Sequence, residues 1–126
     1  MPSRVRGISI FRGVMELIVD TTQSAQIIRV NASRIDAPTA LQFKEDMRKI
    51  TSSGKGRYVL DLAKVDFIDS SGLGAVVACM KQLRTGQSLE LAALQPIVEK
   101  VFHLTRMDTI FTIHSSADQA CVDGAS

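Results

Sequence analysis

Phe67-Ile68-Asp69-Ser70-Ser71-Gly72-Leu73-Gly74 marks the point where this chain changes from one kind of structure to another. Upstream, Tyr58-Val59-Leu60-Asp61-Leu62 is short, apolar and bounded by turn residues, as a strand covered on both faces would be. Asp61 breaks that apolar run. Downstream, Leu73, Val76, Val77, Met80 and Leu83 fall on one stripe and predict a helix from Leu73 to Leu83. Two serines therefore sit where a strand hands over to a helix. Backbone N–H groups there lack partners within the helix, and the dipole is positive. An added phosphate is electrostatically tolerated at such a point. A serine at a helix start is ordinarily only a cap, contributing around 1 kcal/mol. Here two serines stand together, Gly72 and Gly74 remove side chains that would crowd a partner, and Asp69 would repel a phosphate beside it.

Working outward, the same strand–helix alternation extends over the chain. Val14 to Asp20 and Gln26 to Val30 read as strands joined by the polar turn Thr21-Thr22-Gln23-Ser24. Asp36 is a good helix N-cap with Pro38 in the first turn. Phe43, Met47 and Ile50 then form one apolar face, widened by Ala40 and Leu41. Lys44, Arg48 and Lys49 lie toward the end of that helix, where cations suit the dipole. Ser88 to Leu94 reads as another strand. Pro96 starts a third helix with Ile97, Val98, Val101 and Phe102 facing inward, and Ile110 to Ile113 is a last short strand. Ser116 and Gln119 have capping-box spacing before a final short helix. Alternation of this kind implies an α/β sheet with a parallel core and helices against it.

Bulk composition narrows the function classes. At 126 residues, 45% of them apolar and 22% charged, the chain is sized and composed as one globular domain. A formal charge of +2 is too small for an electrostatic grip on nucleic acid. No apolar run approaches the ~18 residues that span a bilayer, and the basic start lacks a signal-peptide core, so membrane insertion and secretion are not expected. Cys79 and Cys121 show no metal or redox spacing, and a reducing cytoplasm is the expected compartment.

Enzyme motifs are absent or incomplete. Gly72-Leu73-Gly74 resembles a dinucleotide-binding turn, but Val77 holds the third glycine position. Ser53-Gly54-Lys55-Gly56 lacks phosphate-loop spacing and reads as a turn. His103 and His114 have no carboxylate or thiol arranged to complete a metal site. The reading is therefore a non-enzyme with no cofactor and no metal.

The motif around the serines resembles the phosphoacceptor loop of the STAS-domain anti-sigma factor antagonists. Tyr-Val-Leu-Asp-Leu at 58–62 and Val-Asp-Phe-Ile-Asp-Ser-Ser-Gly-Leu-Gly at 65–74 match that family nearly position by position. So do Arg34-Ile35-Asp36-Ala37-Pro38-Thr39-Ala40, Leu89-Glu90-Leu91 and Val101-Phe102-His103-Leu104-Thr105. Asn31-Ala32-Ser33 and Arg106-Met107 depart from the family's turn and its Gly-Leu.

The resemblance implies a STAS fold, a single mixed β-sheet with a parallel core packed against four helices. It implies boundaries at 14–122, with a flexible lead-in over 1–13 and a short tail over 123–126. By the same resemblance Ser70 is the phosphoacceptor, and Asp36, Asp69, Ser71, Gly72 and Leu73 form the partner-binding surface. The implied partners are an anti-sigma serine kinase of the histidine-kinase-like ATPase fold and a metal-dependent serine phosphatase, with the chain itself a monomer. Unphosphorylated antagonist would bind the kinase and free a sigma factor, and phosphorylation at Ser70 would end the complex. The alternative is a non-switching STAS subunit of a transporter ATPase complex or sensory scaffold, which has no need of the serine.

Overall fold

Apolar alternation builds one margin of a sheet, and the continuous apolar runs build its middle. A computed structural model describes residues 5–11, 15–52, 54 and 56–124. Strands β1 (Val5–Phe11), β2 (Glu16–Thr21) and β3 (Gln26–Asn31) form an antiparallel meander. Strand β4 (Arg34–Ile35) then leads into helix α1 (Ala37–Thr51), followed by β5 (Gly56–Asp61), β6 (Phe67–Ile68) and helix α2 (Ser70–Lys81). The rest of the chain is β7 (Gln87–Ala92), α3 (Pro96–Leu104), a 3-10 turn (Met107–Thr109), β8 (Ile113–His114) and α4 (Ala117–Gly124).

The main sheet runs β1-β2-β3-β5-β7-β8, with β3, β5, β7 and β8 all parallel. This is the expected mixed sheet with a parallel core and four helices; β4 and β6 add a small two-stranded parallel sheet beside it. In β5, Tyr58, Val59 and Leu60 are all fully buried, which requires cover on both faces. Phe43, Met47, Val76, Cys79, Val98 and Phe102 bring α1, α2 and α3 onto one face, while Ala117 and Ala120 bring α4 onto the other. Phe102 meets Phe111 edge-to-face at 6.1 Å between centroids. Among the described residues no helix is long and apolar enough to cross a membrane.

Several expectations need correction. Val5–Phe11 is a strand pairing along β2, where the sequence reading has a flexible lead-in; Gly7 sits at a register shift in that pairing, and this bulge disguises the strand pattern. Residues 1–4 and 12–14, the ends of the proposed lead-in and the proposed start of the next strand, lie outside the described residues. Gly124 closes α4, so only 125–126 of the proposed tail fall beyond it, and they too lie outside the described residues.

Helix α2 starts at Ser70 and buries Gly72, Ala75, Val76 and Cys79. The larger Leu73, Val77, Met80 and Leu83 lie half-buried at its flanks, because α2 approaches its support closely and small residues fill the contact. Leu41 and Ile97, expected to face inward, are 67% and 60% exposed. The last strand begins at Ile113, since the Ile110 N–H still closes the Met107–Thr109 3-10 turn on Met107 O at 3.1 Å. Asp61 receives its explanation at the strand end: Oδ1 accepts from the Ala63 N–H at 2.9 Å, and Oδ2 lies 3.6 Å from Arg29 Nε.

Candidate functional site

The parallel pairing of β4 with β6 fixes the site. Arg34 and Ile35 align with Phe67 and Ile68, so the chain leaves both short strands in the same direction and enters α1 and α2 side by side. Asp36 and Asp69 stand in extended backbone at the two N-cap positions. Backbone sterics thus place two carboxylates at neighbouring helix N-termini.

Asp69 serves both helices. Its Oδ1 accepts from the Gly72 N–H of α2 at 2.8 Å, and its Oδ2 accepts from the Ala37 N–H of α1 at 3.0 Å. Asp69, and neither serine, is therefore the cap. Ser70 and Ser71 occupy the first two positions of α2, both exposed, and neither hydroxyl is hydrogen-bonded among the described residues.

Asp36 is buried and organised locally. Its N–H donates to Thr39 Oγ1 at 3.0 Å, the Thr39 hydroxyl lies 3.1 Å from Asp36 Oδ1, and Arg34 Nε donates to Asp36 Oδ2 at 2.9 Å. The Arg34 hydrogen bond holds the Asp36 carboxyl below its ordinary pKa, against the opposing effect of burial. Arg34 also lies over the Phe67 ring, 4.1 Å from its centroid.

Gly72 has a packing role that the sequence does not show. It is buried, and a Cβ on it would stand 1.9 Å from the Ile35 carbonyl oxygen. Its missing side chain makes room for β4. Leu73 is half-buried against the core, and its N–H closes the first helical turn on Asp69 O at 2.8 Å. Of the proposed surface, Ser70 and Ser71 face outward, Asp69 and Leu73 are half-buried, and Asp36 and Gly72 are built into the frame.

Beside the serines, α1 and α2 enclose a groove of about 380 Å³ lined by Ala37, Ala40, Leu41, Lys44, Ser71, Gly74 and Ala75. Sequence reasoning missed this groove. It assigned Lys44 to the helix dipole and Leu41 to the core. The signal available was Gly74, a glycine inside an apolar helix.

Two neighbouring helix N-termini thus present Asp36 and Asp69 beside an exposed Ser70. A model of the STAS domain matches residues 16–120. This chain belongs to the STAS-domain family. As a STAS domain it is 34% identical over 87 residues to BtrV of Bordetella bronchiseptica, whose name marks it as a candidate anti-sigma factor antagonist; the match spans 68% of this chain and 75% of that one. It is 29% identical over 106 residues to the anti-sigma-B factor antagonist of Bacillus subtilis, spanning 82% of this chain and 96% of the relative. The crystal structure of an anti-sigma factor antagonist from Mycobacterium paratuberculosis shares the fold with a TM-score of 0.79 at 22% identity, covering 89% of this STAS domain and 95% of that chain.

Proposed function

We propose that this STAS domain is an anti-sigma factor antagonist that works by partner switching, with Ser70 as its phosphoacceptor. The observation that carries the reading is the division of labour at the head of α2. Asp69 takes the capping role, and the Ser70 hydroxyl is left exposed and unengaged at a helix N-terminus. The relatives named as anti-sigma factor antagonists support the same role.

In this cycle the unphosphorylated chain binds an ATP-dependent anti-sigma serine kinase and thereby frees a sigma factor. Ser70 Oγ attacks the γ-phosphorus of ATP held by that kinase, its proton passes to a base on the kinase, and ADP departs. Asp69 is engaged as the cap of both helices, and the reading assigns the base to the kinase. The chain acts as substrate and ligand, and a metal-dependent serine phosphatase resets it.

Phosphorylation adds about −1.5 to −2 charges at neutral pH. At the start of α2 the dipole offsets part of that charge, so the fold persists. Within a closed interface the same charge must lose water beside Asp69 and Asp36. A penalty of about 3 kcal/mol weakens binding roughly a hundredfold, enough to dissolve a complex.

Ser70→Ala and Ser70→Asp baits in native-cell lysate test this reading. The Ala form is expected to enrich a small ATP-binding serine kinase that the Asp form does not. Equal recovery of the same proteins on both baits would mean that the serine is not a switch.

A further inference from the structure

Two features of the groove between α1 and α2 have no explanation inside the molecule. Lys44 is half-buried in it, yet among the described residues it makes no ion pair and no hydrogen bond. The rest of the lining is apolar or small, so this ammonium is the single charge in a largely apolar cleft. An ammonium at such a groove that no carboxylate among the described residues answers is open to an anionic partner from outside. Gly74 is the second feature. A glycine inside a helix is less stable than alanine, and here a Cβ would meet nothing within 4 Å. Gly72 makes room for the Ile35 carbonyl; Gly74 makes room for nothing in this chain. Leu41, 67% exposed, adds an apolar lip to the same groove.

We infer that this groove receives an apolar side chain flanked by a carboxylate from the kinase, the carboxylate pairing with Lys44 and the apolar group resting in the space left at Gly74. A small free anion would satisfy Lys44 but leave the apolar lining wet. An acidic–apolar pair on a protein surface satisfies both, and charge complementarity selects the acidic member. The inference rests on the partner-switching reading and adds the chemistry that the kinase presents. Because Ser71 lines the same groove as Lys44, a phosphate on the adjoining Ser70 stands near the docked carboxylate and repels it.

The test titrates the kinase captured and purified on the Ser70→Ala bait, with ATP and Mg²⁺, against Ser70→Ala protein carrying Lys44→Glu, Lys44→Met or Gly74→Leu. Lys44→Glu is expected to weaken binding at least tenfold, and Lys44→Met to weaken it less while flattening its salt dependence. Gly74→Leu fills the groove and is expected to weaken binding at least tenfold with no fall in melting temperature. Unchanged affinity in Lys44→Glu and Gly74→Leu, with the kinase still separating Ser70→Ala from Ser70→Asp, overturns the groove inference alone. A Ser70→Ala protein with no affinity for any such kinase overturns the partner-switching reading and the inference with it.

Discussion

A methyl group added at Gly72 would stand 1.9 Å from the Ile35 carbonyl oxygen, closer than any real contact, while one added two positions later would touch nothing. The clash at Gly72 is with backbone, which cannot rotate away, so α2 must shift off β4 or the short strands must part. Gly72→Ala is expected to destabilise the protein by about 3 kcal/mol, in the range of overpacked cores. Gly74→Ala removes only backbone freedom from the unfolded chain and is expected to stabilise by up to about 1 kcal/mol. Thermal melts of the two variants check both signs, and a loss of stability at Gly74 would contradict the open space there. One residue type, twice in three positions, is demanded by packing at the first site and stands in open space at the second.

At the scale of an element, α3 ends under strain. Arg106 follows the C-cap Thr105 with φ 62° and ψ 19°, the left-handed position that glycine takes at many helix ends. The sequence reading noted Arg106 only as a departure from the family's Gly-Leu; the backbone supplies its physical meaning. Arg106→Gly is expected to gain roughly 0.5–1 kcal/mol, read as a rise of about 2–6 °C in melting temperature.

The same scale shows what the sequence could reveal. β2, β3, α1, β5 and α3 are legible because alternation, three-and-four spacing or, in β5, a continuous apolar run extends through several residues of each. β4 and β6 are not, because two residues carry no period, and yet their pairing positions the site. The serine loop is legible from its residues and from the family it resembles. That Lys44 lines a groove is not legible, since a cation facing a groove and a cation complementing a dipole look alike in one dimension. Asp69 was read as a repelling charge, and its capping of a second helix depends on a contact 32 positions away in the chain.

At the scale of the whole molecule, one charged cluster joins several elements. On the α4 side of the sheet, Arg57 binds Glu90 through two nitrogens at 2.6 and 2.9 Å, and His114 Nε2 lies 2.7 Å from the same carboxylate. Arg57 also donates to the Ala120 carbonyl of α4 at 3.0 Å, so the cluster ties β5, β7, β8 and α4 together. The Arg57 hydrogen bond holds the Glu90 carboxyl below its ordinary value of 4.5, as the Arg34 hydrogen bond holds Asp36 below 3.8. A carboxyl with a depressed folded-state pKa contributes stability that is present above its unfolded value and lost as pH falls through the folded one. The melting temperature is therefore expected to show no loss from these two groups between pH 7 and about 5, and to fall below about pH 4.5. Glu90→Gln should lower stability at neutral pH by about 3 kcal/mol and reduce the steepness of the acid fall. An unchanged acid slope in that variant would show that Glu90 does not govern it.

The Asp69 carboxylate has a consequence for motion. Amides in the first turn of a helix normally open and exchange independently of other helices, since no carbonyl holds them. Here the Ala37 and Gly72 amides are held by the two oxygens of one carboxylate, so displacement of Asp69 releases both helix starts together. The two N-termini are expected to open together when Asp69 moves, and the Ser70 backbone adjoins that carboxylate. A backbone held in this way has little conformational entropy left to lose on being bound.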